Sequence, residues 1–227
     1  MIFFIFARLA HKTKHIVSTM LPPKTVERLS RYRRCLHFLI QEGRENIFSH
    51  DIASMLHLTA VQVRRDIMLI GHEGTLRNGY VIKDLHDKIV SIVESRDSIN
   101  IAIVGYGDLG RAIMHYIQDK NSAIHIAASF DVNPEKTGKH HDGILCFHVN
   151  DLVKIVREQK IHIAVLATPP NVAQKAADDL VAAGVRGVLN YTTQQIKLPK
   201  NIYHEEYDMI MSLEKLAYYI KFDSDKQ

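Results

Sequence analysis

Apolar side chains recur at Val26, Leu29, Tyr32, Leu36, Leu39 and Ile40, with Arg28, Arg31, Arg33 and Arg34 set between them. That spacing predicts a basic amphipathic helix over 25–41, ended by Gly43 as a C-cap glycine. Ser49 is placed to cap a short second helix over 51–57, and Leu58-Thr59 makes a tight turn into a third over 60–70. Two helices joined this closely have helix-turn-helix spacing. On the third helix Ala60, Val63, Ile67 and Ile70 share one face, Val61, Gln62 and Arg65 point the opposite way, and Arg64 lies on the flank. Gly71, Gly74 and Gly79 then punctuate a hairpin whose second strand, 80–83, would form a wing.

After a connecting helix over 85–95, the period changes. Short apolar runs at 100–104, 125–132, 144–149, 161–166 and 187–191 read as strands, and helical stretches at 111–118, 151–158 and 171–183 alternate with them. Apolar strands alternating with helices imply parallel βαβ units. A strand near 202–207 and a last helix over 210–221 complete the chain. The fold class is therefore α/β, with an N-terminal winged helix-turn-helix and a Rossmann-type parallel sheet. Expected boundaries are an extension at 1–23, expected to be disordered, a winged helix at 24–84, a linker helix at 85–98, a Rossmann domain at 99–207 and a C-terminal helix at 208–227. A length of 227 residues suits such a two-domain plan.

Charge adds one asymmetry. Residues 24–84 carry ten Lys/Arg against seven acids, whereas 85–227 carry sixteen against eighteen. A basic N-terminal part joined to a mildly acidic remainder suits a nucleic-acid-binding end and a ligand-binding end. The two cysteines, Cys35 and Cys146, lie far apart without metal-ligand spacing, so no disulfide framework or zinc finger is indicated and no metal site is expected. A reducing cytoplasm fits best. The opening apolar run is too short to span a bilayer, and its basic residues follow the apolar stretch. Met20 begins a segment that reads like a natural start, which leaves residues 1–19 as an upstream extension, a segment absent in the cell, or an artefact of start-site choice.

The strongest chemical motif is Gly105-Tyr106-Gly107-Asp108-Leu109-Gly110, directly after an apolar strand and opening a helix. Gly105 permits the tight turn, Gly107 lets the backbone approach a pyrophosphate, and Gly110 allows close helix–strand packing. Backbone N–H groups and the helix dipole then meet the anion. Asp131 ends the second strand about 24 residues after Gly107, where a carboxylate can accept hydrogen bonds from ribose hydroxyls and repel a 2′-phosphate, favouring NAD(H) over NADP(H). Its alternative is a strand-end turn residue, since Asn133-Pro134 follows. For DNA, the third helix offers Thr59, Gln62, Arg64 and Arg65 to the major groove, with Arg77 and Asn78 at the wing tip placed for the minor groove or phosphate. The competing reading is a winged helix that serves only protein contacts.

Several collinear stretches resemble the Rex family of redox-sensing repressors, from about Lys24 onward. They are Leu-Thr-Ala-Val-Gln-Val-Arg-Arg-Asp at 58–66, the glycine loop with Arg-Ala-Ile-Met-His-Tyr at 111–116, Phe-Asp-Val-Asn-Pro-Glu-Lys at 130–136, Gly-Val-Arg-Gly-Val-Leu-Asn at 184–190, and Asp208 with the final helix. The resemblance implies a homodimer exchanging its C-terminal helix, operator binding with NAD+ and release with NADH. It adds Thr168, Pro169 and Asn190 to the cofactor site and puts the coupling residues on Arg34, Tyr116 and Asp208. By pattern alone these three are a solvated helix residue, a core aromatic and a helix-start residue. The chain departs from the family at the wing, Leu76-Arg-Asn-Gly-Tyr80 in place of Arg-Gly-x-Gly-Tyr, and at Thr168-Pro169 in place of Val-Pro.

Two other classes compete with a repressor. An NAD-dependent dehydrogenase needs a general acid or base beside the nicotinamide, whereas His140-His141 reads as a solvated turn without an orienting partner. A DNA-binding regulator could instead sense another nucleotide ligand such as coenzyme A, against which Asp131 argues.

Overall fold

A computed structural model describes residues 20–94, 98–118 and 123–224. The chain divides into two compact units, Met1–Glu94 and Ser95–Gln227. The expectation for residues 1–19 lies outside the described residues.

The first unit is a winged helix-turn-helix. Helix α1, Pro23–Gln41, starts on a proline, whose missing N–H costs nothing in a first turn, and buries Leu29, Tyr32, Leu36 and Leu39. Val26 and Ile40, expected on that face, are exposed. Gly43, at φ +76°, ends the helix: its N–H donates to Ile40 O and that of Arg44 to Leu39 O, both at 3.0 Å. Strand β1, Asn46–Ile47, leads to α2, Ser49–Leu56. Ser49 is not the cap; the Phe48 N–H donates to Asp51 Oδ2 at 3.0 Å, and Ser49 is the first helical residue. His57, in the left-handed region, closes α2. Thr59 caps α3, Ala60–Leu69, its Oγ1 accepting from Gln62 N at 3.2 Å. The buried face of α3 is Val63, Asp66 and Ile67, continued by Ile70 beyond its end.

The wing is shorter than its sequence implies. Strand β2 is only Tyr80–Val81, paired antiparallel with β1, because helix α4 already begins at Ile82 and runs to Val93. Ile82, Leu85 and Ile89 are fully buried in the core of α1 and α3. The helix expected to serve as a linker is thus packed into the first unit, and Leu21, ahead of α1, also packs on that core.

The second unit carries a seven-stranded sheet. In chain order its elements are β3 (Ile99–Val104), α5 (Asp108–Gln118), β4 (Ile124–Asp131), β5 (His140–His141), β6 (Ile144–His148), α6 (Leu152–Glu158), β7 (Ile163–Leu166), α7 (Pro170–Ala183), β8 (Gly187–Asn190), β9 (Tyr203–Glu206) and α8 (Met209–Ser224). Strand order is β5-β6-β4-β3-β7-β8-β9, parallel throughout except for β5. Alternate residues serve the two faces, the period-2 rule of strands. Ile101, Ile103 and Ile126 pack with Ile113 and Met114 of α5. Ala102, Val104, Ala128, Phe130 and Ala164 pack under α6 and α7, where small alanines let the helices approach. The sequence missed β5: His140 and His141 pair with Leu145 and Ile144 as a short edge strand.

Candidate functional site

On the first unit, α3 presents Arg64, Arg65 and Thr59 exposed and Gln62 half-buried. Behind this face lies a cluster absent from the sequence reading. Asp66 is wholly buried, and Arg28 grips both its oxygens, Nε at 2.6 Å and Nη2 at 2.7 Å, while Tyr32 Oη donates at 2.8 Å and Gln62 Nε2 at 3.0 Å. Burial opposes the charge of Asp66, but these donors and the guanidinium charge outweigh it and hold the carboxyl below its usual range. Arg28 therefore belongs to an inner ion pair, not to the basic outer face. The available signal was an acid directly beside Val63 and Ile67 at core spacing. Committing one N–H of Gln62 to Asp66 fixes that side chain and leaves its carbonyl and second N–H for a base edge. Arg64 Nη1 donates to Ser49 Oγ at 3.1 Å, tying α3 to α2.

The wing tip is a tight loop closed by Thr75 N–H to Gly79 O at 2.7 Å and Gly79 N–H to Thr75 O at 2.9 Å. Arg77 and Asn78 sit at its exposed end, beside a fully exposed Leu76.

On the second unit, β3 and β7 are parallel neighbours whose following helices, α5 and α7, pack on opposite faces of the sheet, the topological switch where open α/β sheets bind ligands. The glycine loop behaves as its spacing demands. A Cβ on Gly105, at φ +99°, would lie 2.4 Å from Ala167 O, and one on Gly110 only 1.9 Å from Gly105 O. A Cβ on Gly107 meets nothing within 4 Å. Two glycines are therefore required by packing, whereas the middle one faces open space that a ligand could enter. Helix α5 starts at Asp108 rather than Arg111, so Asp108, Leu109 and Gly110 form its first turn, with Arg111 N–H donating to Gly107 O at 3.0 Å.

Asp131 closes β4 with 8% exposure. Its Oδ2 accepts from Tyr106 N and Lys136 Nζ, both at 3.0 Å, and its Oδ1 from Asn133 N at 2.8 Å. Burial raises its carboxyl pKa, and the Asn133 N–H, Lys136 and the Tyr106 N–H more than offset this, leaving it ionised below the ordinary range. Asp131 thus fills the strand-end turn role while also lining the groove along this edge of the sheet.

A groove of about 680 Å³ runs along this edge, lined by Gly105, Asp131, Val132, Asn150, Thr168, Pro169 and Val172 among others. Four of the expected cofactor residues, Gly105, Asp131, Thr168 and Pro169, line it. The other six do not: Gly107, Asp108, Leu109 and Gly110 belong to the glycine loop and the first turn of α5, and Asn190 and Tyr106 are turned elsewhere. Asn190 is 1% exposed and its amide is spent on a turn, donating to Gln194 O at 2.9 Å and accepting from Thr192 Oγ1 at 2.7 Å. Tyr106 turns to the α5 face, its ring 4.7 Å from that of His141. His141 in turn meets Lys136 O at 3.0 Å, so this pair is not a free turn. The groove residues contributed by the β6–α6 connection, such as Asn150, were missed, although every loop at the carboxyl edge of a parallel sheet is a candidate.

Of the coupling residues, Arg34 is exposed on α1. Tyr116 lies exposed on α5; burial, with Tyr207 and then Tyr116, raises the phenol pKa of Tyr191. Asp208 caps α8, accepting from Met211 N at 3.0 Å.

Comparison with known proteins places these features in one lineage. Residues 20–67 match the family described as "Putative DNA-binding protein N-terminus", and residues 96–194 match the CoA binding domain family. A redox-sensing transcriptional repressor Rex of Lactobacillus gasseri is 34% identical over 206 residues, covering 91% of this chain and 96% of the relative. That of Listeria welshimeri is 33% identical over 204 residues, covering 90% and 95%. This chain belongs to the Rex family of redox-sensing transcriptional repressors. A crystal structure of the Rex-family repressor RSP with β-NAD+ and operator DNA aligns with a TM-score of 0.84 at 28% identity, covering 91% of this chain and 95% of RSP. RSP with β-NADH aligns at 0.80 and 27% identity, covering 91% and 97%. The Rex relatives are regulators, and among the described residues no helix is long and apolar enough to cross a membrane.

Proposed function

We propose that this chain is a cytoplasmic redox-sensing repressor and not an enzyme, binding operator DNA as a homodimer and leaving it when NADH binds. The observation that carries this reading is the pairing, in one chain, of a helix-turn-helix with exposed Arg65 and Arg77 and a sheet-edge groove lined by Gly105 and the ionised Asp131.

The residues divide the work by chemistry. N–H groups of the glycine loop and the first turn of α5 hold the pyrophosphate, with Gly107 giving the close approach. Asp131, kept charged by Lys136 and two backbone N–H groups, accepts from the adenosine ribose and disfavours a 2′-phosphate. Lys136, paired with the same carboxylate at 3.0 Å, tempers that repulsion. On DNA, Gln62, Arg64 and Arg65 face the major groove, Thr59 can donate its hydroxyl to phosphate, and Arg77 and Asn78 serve the wing. The nicotinamide ring supplies the signal when bound, through its change of charge and planarity between redox states.

Dimerisation is supported by α8. Met209, Ile210, Met211, Leu213, Leu216, Tyr218 and Phe222 are all more than half exposed on one helix. Apolar surface on this scale marks an interaction site, and exchange of this helix between subunits would cover it. The three coupling residues keep the roles the family resemblance gives them, with Arg34 answering from the partner subunit.

Calorimetry with NADH, NAD+, NADPH and coenzyme A tests the groove. NADH should bind more tightly than NADPH, with Asp131→Asn narrowing the gap. Equal binding of the two reduced dinucleotides, or tightest binding of coenzyme A, would overturn the assignment. A DNA duplex selected from random sequence by the protein itself should then be released by NADH and retained with NAD+.

A further inference from the structure

His140 and His141 take no part in the sheet-edge groove; they line a cleft of their own. It encloses about 430 Å³ between Tyr106, Arg111, His115, Lys136 and the two histidines, with Asp142 as the one acid in its wall. The cleft lies on the α5 face of the sheet, whereas the groove borders residues that pack under α6 and α7, and among the described residues the two share no lining side chain. Two permanent cations and three imidazoles thus face a single carboxylate. Residues 85–227 as a whole carry sixteen Lys/Arg against eighteen acids. A cationic hollow set in a mildly acidic surface concentrates small anions rather than a nucleic acid.

The walls are fixed while the donors stay available. His141 Nε2 donates to Lys136 O at 3.0 Å, and Gln118 Nε2 donates to Asp142 O at 3.1 Å, tying α5 to the β5–β6 turn. Arg111 and His115 stand one turn apart on α5. Arg111 pairs with Asp108, whose side chain is 96% exposed, and His115 Nε2 lies 3.5 Å from the half-exposed Asp142. Exposed pairs of this kind contribute little and yield readily to a better acceptor. Lys136 Nζ holds Asp131 at 3.0 Å and has two further N–H groups to offer. The Tyr106 phenol, its pKa raised by burial and by Asp142, remains a donor. Donors therefore reach the cleft from α5, from the β4–β5 connection and from β5, an arrangement that suits a tetrahedral dianion with several acceptor oxygens better than a planar carboxylate. We propose that this cleft binds the phosphate group of a small phosphorylated metabolite, at a site separate from the sheet-edge groove. The inference does not depend on which ligand the groove takes.

Calorimetric titration of the full-length protein with inorganic phosphate, in chloride buffer at fixed ionic strength, tests this. Wild type should bind saturably, and binding should persist both under saturating ADP-ribose and in Gly107→Ala, which alters the other anion-accepting feature of this unit, the glycine loop. Arg111→Ala should weaken phosphate by about tenfold or more, the effect of one lost charge-assisted hydrogen bond, and Arg111→Ala/His115→Ala should weaken it further. Because both side chains are more than half exposed, these variants should melt at the wild-type temperature. Lys154→Ala, which removes an exposed cation of α6, should bind phosphate like wild type. No heat of binding in wild type overturns the inference. A response that does not saturate and is equal in every variant marks an adventitious ion only and overturns it as well. Displacement of phosphate by ADP-ribose, or its loss in Gly107→Ala with Arg111→Ala unaffected, assigns the anion to the glycine loop and removes the cleft as a site.

Discussion

Arg28 of the first helix and Asp66 of the recognition helix form a bidentate ion pair, with nitrogen–oxygen distances of 2.6 and 2.7 Å and the carboxylate wholly buried. Removing one partner of such a pair strands a charge in the core, at a cost of about 3–5 kcal/mol. Arg28→Ala should lose stability of this order in urea unfolding, most of it in the first unit. The pH dependence has a definite sign. The folded-state pKa of Asp66 lies below its unfolded value, so its contribution is complete above the ordinary carboxylate range of about 4 and fades as pH falls through the lower folded value. Asp66→Asn should remove that part of the acid limb; an unchanged acid transition would show that other carboxylates govern it.

The same pair marks the limit of pattern reading. Helical spacing located α1 and α3 within a residue or two, yet it put Arg28 with the solvated arginines, because a single acid on a core face carries no periodicity of its own. The glycine loop was legible, since each glycine answers a local geometric demand that Gly105 and Gly110 display directly. Asn190 and His141 were not. Asn190 is held in a local turn by Thr192 and Gln194 that its place at a strand end does not announce, and His141 by a long-range ring contact with Tyr106. The brevity of β2 escaped notice for a similar reason: Ile82 and Leu85 suit a strand or a helix, and the core of the first unit decides between them.

Recognition should rest on Arg65 more cleanly than on Arg64. Both are exposed, but Arg64 also braces α2 through Ser49, so Arg64→Ala is expected to lower stability as well as affinity. Arg65→Ala should leave the melting temperature unchanged and cost about 1–3 kcal/mol of operator binding if it reads a base, or reduce the salt slope by about one if it meets phosphate. Fluorescence anisotropy across a salt series separates the two, and neither effect would remove Arg65 from the interface. Arg77→Ala should cost less and relax specificity mainly at flanking A·T positions.

The three loop glycines should separate folding from binding. Gly105→Ala and Gly110→Ala force contacts of 2.4 and 1.9 Å on backbone oxygens and should lower the melting temperature by several degrees or prevent folding. Gly107→Ala meets open space, so it should melt like wild type while losing NADH affinity at least tenfold, its methyl standing where the pyrophosphate must approach. A Gly107→Ala variant that binds NADH normally would remove the cradle from the mechanism.

The base of α8 is tied to the end of β8 within the second unit. The ring of Tyr191, which follows β8, lies 5.2 Å from that of Tyr207. The next residue, Asp208, caps α8. If redox sensing acts through the residues the family resemblance names, a change at the nicotinamide should be felt at the base of the helix expected to exchange between subunits. Only a ligand with different affinities for the two arrangements can move their balance, and the coupling must be reciprocal: operator DNA should weaken NADH binding by the factor, about 5- to 150-fold for typical couplings, by which NADH weakens operator binding. Tyr116→Phe should retain NADH affinity within a few-fold while reducing that factor. Asp208 needs two variants, because its carboxylate both caps a helix and carries a charge. Asp208→Ala loses both, with about 1 kcal/mol attributable to the cap alone. Asp208→Asn keeps the cap, asparagine serving as well as aspartate at that position, and removes the charge that Arg34 of the partner subunit would meet. If Asp208→Asn loses coupling as fully as Asp208→Ala, the charge is the switch; if it couples like wild type while Asp208→Ala does not, Asp208 acts only through the helix start, and the ion-pair mechanism is wrong.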